Sequence, residues 1–107
     1  MCCRYLKDLG LERLPPLGNL HSLEALYLSS NRIKSVENLS LTGMLSLREL
    51  DLSRNRLTTM SSPPFKSVKL RKLNLSRNYI SYLDTQSFES LPHLEELKLS
   101  TYIHVHM

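Results

Sequence analysis

Leu47-Arg48-Glu49-Leu50-Asp51-Leu52-Ser53-Arg54-Asn55-Arg56-Leu57 places leucine at its first, fourth, sixth and eleventh positions and asparagine at its ninth. Within it, Leu50 and Leu52 point to one side of the chain and Glu49 and Asp51 to the other, which is the period of a strand. The pattern occurs upstream as Leu23-Glu24-Ala25-Leu26-Tyr27-Leu28-Ser29-Ser30-Asn31-Arg32-Ile33. It occurs downstream as Leu70-Arg71-Lys72-Leu73-Asn74-Leu75-Ser76-Arg77-Asn78-Tyr79-Ile80, and a fourth copy opens at Leu94-Glu95-Glu96-Leu97-Lys98-Leu99-Ser100. The copies thus start at Leu23, Leu47, Leu70 and Leu94, an almost even spacing. A fixed period of this size means stacked coils, each unable to bury its apolar side without a neighbour.

The segments between copies keep the same phase. Ile33, Leu57 and Ile80 are followed three residues on by Val36, Met60 and Leu83, then by Leu41, Phe65 and Phe88, then by Met44, Val68 and Leu91. The one-residue deficit of the middle repeat falls between Val68 and Leu70. An earlier unit, in which Leu11, Leu14, Leu17, Leu20 and Leu23 recur every third residue, reads as a slightly shorter repeat.

From about Leu11 to Ser100 the pattern resembles the leucine-rich-repeat family. Phe65 and Phe88 resemble the inward aromatic of the roughly 24-residue type found in receptor ectodomains and matrix proteoglycans. The resemblance implies an α/β solenoid, a leucine-rich-repeat horseshoe with a parallel concave β-sheet and an irregular or 3₁₀ convex side. Residues 1–10 are then an atypical N-terminal edge, 11–100 about four repeats with the first and last incomplete, and 101–107 an off-pattern tail. Strands about 4.8 Å apart would stack Leu26, Leu28, Ile33, Val36, Leu50, Leu52, Leu57, Phe65, Leu73, Leu75, Ile80, Phe88, Leu97 and Leu99 into one core. Asn31, Asn55 and Asn78 sit where the chain leaves the strand. An amide both donates and accepts, so a column of them can satisfy the backbone groups bared by the bend. The return path, with Ser61-Ser62, Pro63-Pro64 and Pro92, lacks a helical stripe and should be extended or 3₁₀.

Composition narrows the class. The chain has 107 residues, of which 41% are hydrophobic and 24 are Leu, enough for one small domain and against disorder. Lys and Arg number 14 against 10 Asp and Glu, a net charge of +4 with a pI near 9.3. The first residues, Met1-Cys2-Cys3-Arg4-Tyr5-Leu6-Lys7-Asp8, lack the apolar stretch of a secretory signal. The chain as it stands thus reads as cytoplasmic, and as extracellular or cell-surface if it belongs to a larger ectodomain. Cys2 and Cys3 have no third cysteine to pair with. Two reduced thiols, or the remnant of a cysteine-bearing cap, are both open readings. The fourth copy leaves the pattern after Leu99, with Tyr102 at the asparagine position and His104 at the next core position, so a fragment of a longer repeat protein is expected.

The outward columns of the strands carry the candidate site. One reads Ala25, Glu49, Lys72, Glu96, the next Tyr27, Asp51, Asn74, Lys98, and the third is serine: Ser29, Ser53, Ser76, Ser100. Arg54, Arg56 and Arg77 margin the bend and can make bidentate contacts with oxyanions. The expected function is recognition of a protein partner through Tyr27, Glu49, Asp51, Arg54, Arg56, Lys72, Asn74, Arg77, Glu96 and Lys98. The plainer alternative is that Glu49, Lys72 and Glu96 pair across strands and keep the sheet soluble. Within the family, a cytosolic adaptor or phosphatase-regulatory protein competes. From another class comes weak nucleic-acid binding through the basic margin, which interrupting carboxylates and few aromatics disfavour. Asn38-Leu39-Ser40 and Asn74-Leu75-Ser76 match the glycosylation acceptor pattern, which has meaning only in a secreted chain. His104-x-His106 lacks a third nearby ligand for a metal, and a loosely ordered tail is the simpler reading. No Gly-rich phosphate loop, nucleophile elbow or carboxylate pair supports catalysis or a cofactor, and no apolar run is long enough to span a membrane.

Overall fold

The computed structural model describes residues 2–16, 21–36, 41, 43–60, 69–84, 88, 91–99 and 104–106. Among them eight short strands follow one another: β1 (Cys3–Tyr5), β2 (Ala25–Tyr27), β3 (Glu49–Asp51), β4 (Thr59–Met60), β5 (Lys72–Asn74), β6 (Tyr82–Asp84), β7 (Glu96–Lys98) and β8 (His104–His106). Strands β1, β2, β3, β5 and β7 lie in that order in a parallel sheet. Their register is the register of the repeat: Leu26 faces Leu50, Leu50 faces Leu73, and Leu73 faces Leu97.

Burial follows the pattern. Leu26, Leu28, Ile33, Leu52, Leu57 and Leu75 expose no surface, and Val36, Leu50, Leu73 and Ile80 are buried with them in one continuous core. Fully burying such a side chain stabilises the fold by about 1.5–3 kcal/mol. Phe88, Leu97 and Leu99 are only partly buried, against the expectation of a full core position. Among the described residues β7 pairs with β5 alone, so no further strand of the sheet covers Leu97 and Leu99. Phe65 lies outside the described residues.

Strands β1, β2, β3 and β5 run into the same backbone kink. Asp8, Ser30, Arg54 and Arg77, one per coil, adopt φ between 54° and 58°, the left-handed region that costs a non-glycine residue about 1–2 kcal/mol. In three coils the next residue is the repeat asparagine, whose amide compensates. Asn55 Nδ2 donates to Leu52 O and Ser53 O of its own coil and to Leu28 O of the coil before, and its Oδ1 accepts from Ile33 N. Asn78 repeats this set with Leu75 O, Ser76 O, Leu52 O and Leu57 N. Asn31 reaches back to Leu6 O and accepts from both Leu9 N and Leu11 N. The first coil has Leu9 where the others have asparagine, and a second left-handed residue, Gly10 at φ 67°, helps it turn.

That first coil extends further toward the N-terminus than the leucine pattern suggests. Strand β1 lies within the stretch read as an atypical edge, yet Cys3, Arg4 and Tyr5 pair in register with Ala25, Leu26 and Tyr27. The sulfurs of the adjacent Cys2 and Cys3 lie against each other at the start of this coil.

On the return path, the backbone N–H groups of Met44, Leu47, Leu91 and Leu94 each donate to the carbonyl three residues earlier, the spacing of 3₁₀ turns. Extended segments join them: β4, β6 and β8 make a second parallel sheet. His104–His106 is therefore a paired strand, and the loose tail expected there is corrected. Its register sets Val105 beside Leu83. Carrying the spacing of Leu70 to Leu94 onward would have set Met107 there instead, so the last coil is shorter than its predecessors. Among the described residues no helix is long and apolar enough to cross a membrane.

Candidate functional site

The middle residue of β2, β3 and β5 is buried, so the strand alternation turns its two neighbours toward the other face, and the parallel register makes columns of them. Ala25, Glu49, Lys72 and Glu96 align in one, with Tyr27, Asp51, Asn74 and Lys98 in the other. The structure thus brings the eight outward strand residues read from the sequence onto one sheet face. Glu49, Asp51, Lys72, Asn74, Glu96 and Lys98 wall a shallow open depression of about 160 Å³ above Leu50 and Leu73.

An aromatic step borders it. Tyr5 of β1 stacks on Tyr27 of β2, with ring centroids 4.8 Å apart and planes 11° from parallel. The Tyr27 hydroxyl donates to Glu49 Oε2 at 2.9 Å. Burial, then the Glu49 hydrogen bond and charge, push the Tyr27 hydroxyl up to about 12. Tyr5 is largely exposed, so the step ends in a free ring face. Sequence reading missed Tyr5 because the first ten residues lack the leucine pattern. The signal available was Cys3-Arg4-Tyr5-Leu6, which aligns with Ala25-Leu26-Tyr27-Leu28 once a slightly shorter period is tried.

Two of the polar residues also brace the backbone. Asp51 Oδ1 accepts from Ser53 N, and Asn74 Oδ1 accepts from Ser76 N and Ser76 Oγ. These Asx-type turns hold the carboxylate and amide against their own strands. Ser29 and Ser53 are buried, so the serine column belongs to the bend, not to the open face. Glu96 and Lys98 form an exposed ion pair at 3.8 Å, along one strand and not across neighbours as the plainer reading supposed. Such a pair contributes little to stability, and both groups remain open to solvent.

The arginines stand apart. Arg54 and Arg77 occupy the left-handed corner of the bend, and Arg56 follows Asn55; all three are exposed, and none lines the depression. They form a margin beside the face. Asn31 and Asn55 are buried and structural, as is the half-buried Asn78. Asn38 and Ser100 lie outside the described residues. Among the described residues, no group of three His, Cys, Asp or Glu side chains is placed to hold a metal ion.

Comparison with known proteins agrees with this geometry. The chain is 41% identical over 59 residues to leucine-rich repeat-containing protein 3 of Danio rerio, a stretch that covers 55% of this chain and 22% of that protein. No solved structure matches the chain. The leucine rich repeat family matches residues 21–66 and again 46–101. With its three register-matched asparagines, its parallel sheet and these two overlapping matches, the chain belongs to the leucine-rich-repeat family.

Proposed function

We propose that the open sheet face binds a protein partner of mixed surface charge through Glu49, Asp51, Lys72, Asn74, Glu96 and Lys98, with Tyr27 and Tyr5 as an apolar anchor beside them. The family is typically one of non-enzymatic interaction modules. The observation that carries the reading is the register. It sets acidic and basic side chains in adjacent columns over a shallow depression, where they present a charge pattern to a second surface. Charges of this kind set specificity and encounter rate more than raw affinity, while a stacked tyrosine supplies the rigid contact typical of interface hot spots.

Arg54, Arg56 and Arg77 extend the contact if the partner reaches over the bend. Nucleic acid fits this surface less well, since Glu49, Asp51 and Glu96 would face phosphates. Affinity enrichment of partners should be run side by side with the wild-type chain, with Glu49→Lys/Lys72→Glu on the face, and with Lys34→Glu away from it. A partner retained by wild type and Lys34→Glu but lost by the face variant is the expected result. Equal retention by all three puts the interface elsewhere, and a binding constant that falls several decades per decade of salt would favour nucleic acid.

A further inference from the structure

A second polar cluster lies at the opposite end of the strands from the bend. Arg48 and Arg71 immediately precede β3 and β5, and their backbones are tied, because Arg71 N and Lys72 N both donate to Arg48 O at 2.7 and 3.0 Å. The two guanidinium-bearing residues are therefore fixed as neighbours in adjacent coils. Lys69 lies two residues before Arg71, and His93 sits on the turn that leads into the next coil. These four side chains line an open depression of about 220 Å³, and among the described residues no carboxylate lines it with them. Glu24 and Glu95 hold the same column on either side. Among the described residues, neither forms an ion pair with Arg48 or Arg71.

Arg48 is also oriented. Its Nη1 donates to Leu45 O and Leu47 O at 3.2 and 3.1 Å, which steadies the guanidinium plane. Arg48 and Arg71 stand side by side between Glu24 and Glu95 without an ion pair to either among the described residues, and an oriented fork of donors beside a second cation matches a ligand with several oxygens and more than one charge.

The geometry points to this depression as a binding site for a tetrahedral oxyanion, a phosphate or sulfate group, either free or carried as an ester. A dianion between Arg48 and Arg71 neutralises both and accepts from Lys69 at the rim. The site lies one residue upstream of the sheet face, so it can be filled while the face is engaged, and it stands or falls separately from the partner-binding reading.

Two-dimensional amide spectra of the full chain, titrated at constant ionic strength with inorganic phosphate, inorganic sulfate, O-phosphoserine or tyrosine sulfate, and with chloride as reference, test it. Saturable shifts at Arg48, Lys69, Arg71 and His93 with the oxyanions, weakest for the singly charged sulfate ester, and not with chloride are expected. Arg71→Gln/Lys69→Gln, which leaves the backbone bonds of Arg48 in place, should weaken them at least about tenfold, the cost of losing a charge-assisted hydrogen bond. Lys7→Gln/Lys34→Gln removes the same charge at exposed positions that do not line the depression and should leave affinity unchanged. Tighter binding of an ester assigns the site to a modified partner group, and tighter binding of the inorganic ion assigns it to the free ion. An equal response to chloride, undiminished binding in Arg71→Gln/Lys69→Gln, or equal weakening in Lys7→Gln/Lys34→Gln overturns the proposal.

Discussion

Asn55→Ala should cost this chain about 2–4 kcal/mol, and the hydrogen bonds show where the loss arises. Three carbonyls lose the Nδ2 donor, but each keeps another: Leu28 O retains Asn31 Nδ2, Leu52 O retains Asn78 Nδ2, and Ser53 O retains Ser30 N. The Ile33 N–H instead loses the acceptor it is bonded to, Asn55 Oδ1 at 3.1 Å, at a position with no exposed surface. Stranding a buried donor costs about 1–3 kcal/mol, and the lost donor bonds together add about 1 kcal/mol more. That is a large part of the ~5–15 kcal/mol that holds a small domain together. Asn55→Asp separates the two halves of the role. It keeps an acceptor for Ile33 N but turns carboxylate oxygen toward three carbonyls, so it should be at least as harmful. Urea unfolding should show midpoints about 1–2 M lower for both variants with the slope unchanged. A shift below about 0.3 M for Asn55→Ala, or an Asn55→Asp variant as stable as wild type, would refute the account.

Leu50→Ala removes a side chain with 1% exposure and should cost about 2–5 kcal/mol, whereas Leu97→Ala, at a partly buried position, should cost less than half as much; paired denaturation curves check the ratio. Arg54→Gly removes a Cβ from the left-handed region but loosens the unfolded chain, so its stability should lie within about 1 kcal/mol of wild type, while Arg54→Val, β-branched at φ 54°, should lose more than about 1 kcal/mol. Ultraviolet titration should find a tyrosine ionising near pH 12 that moves back toward 10 in Glu49→Gln. Because the folded-state value is raised, the neutral hydroxyl stabilises the fold fully below pH 10. That contribution fades as pH rises through 12, so alkaline unfolding should come earlier for wild type than for Tyr27→Phe.

The sequence announces a coil wherever the leucines recur on schedule and falls silent where a coil is built from other residues. Leu26, Leu50 and Leu73 could be placed inside because burial demands one residue type at one spacing. The two outward columns followed at once, since a strand must alternate. At the ends the demand relaxes. Arg4 takes the place of an inward leucine in β1, and Leu9 that of an asparagine, because Asn31 of the next coil supplies the missing amide. Strand β8 was hidden for a different reason: its coil is shorter, and a fixed period carried past Leu99 names the wrong partners. The depression at Arg48 and Arg71 was illegible because charge at a strand start has no periodic signature; only the backbone bonds between coils bring those side chains together.

The repeat amides all reach the same way. Asn31 serves Leu6, Leu9 and Leu11, Asn55 serves Leu28 and Ile33, and Asn78 serves Leu52 and Leu57, always the coil that precedes in sequence. The solenoid therefore has a polarity in time as well as in space. A coil leaving the ribosome can spend its asparagine on its own carbonyls but leaves the N–H two residues on without an acceptor; the following coil supplies it on arrival, as a ratchet pawl holds the tooth already passed. Synthesis from the N-terminus delivers the latches in the order in which they are needed.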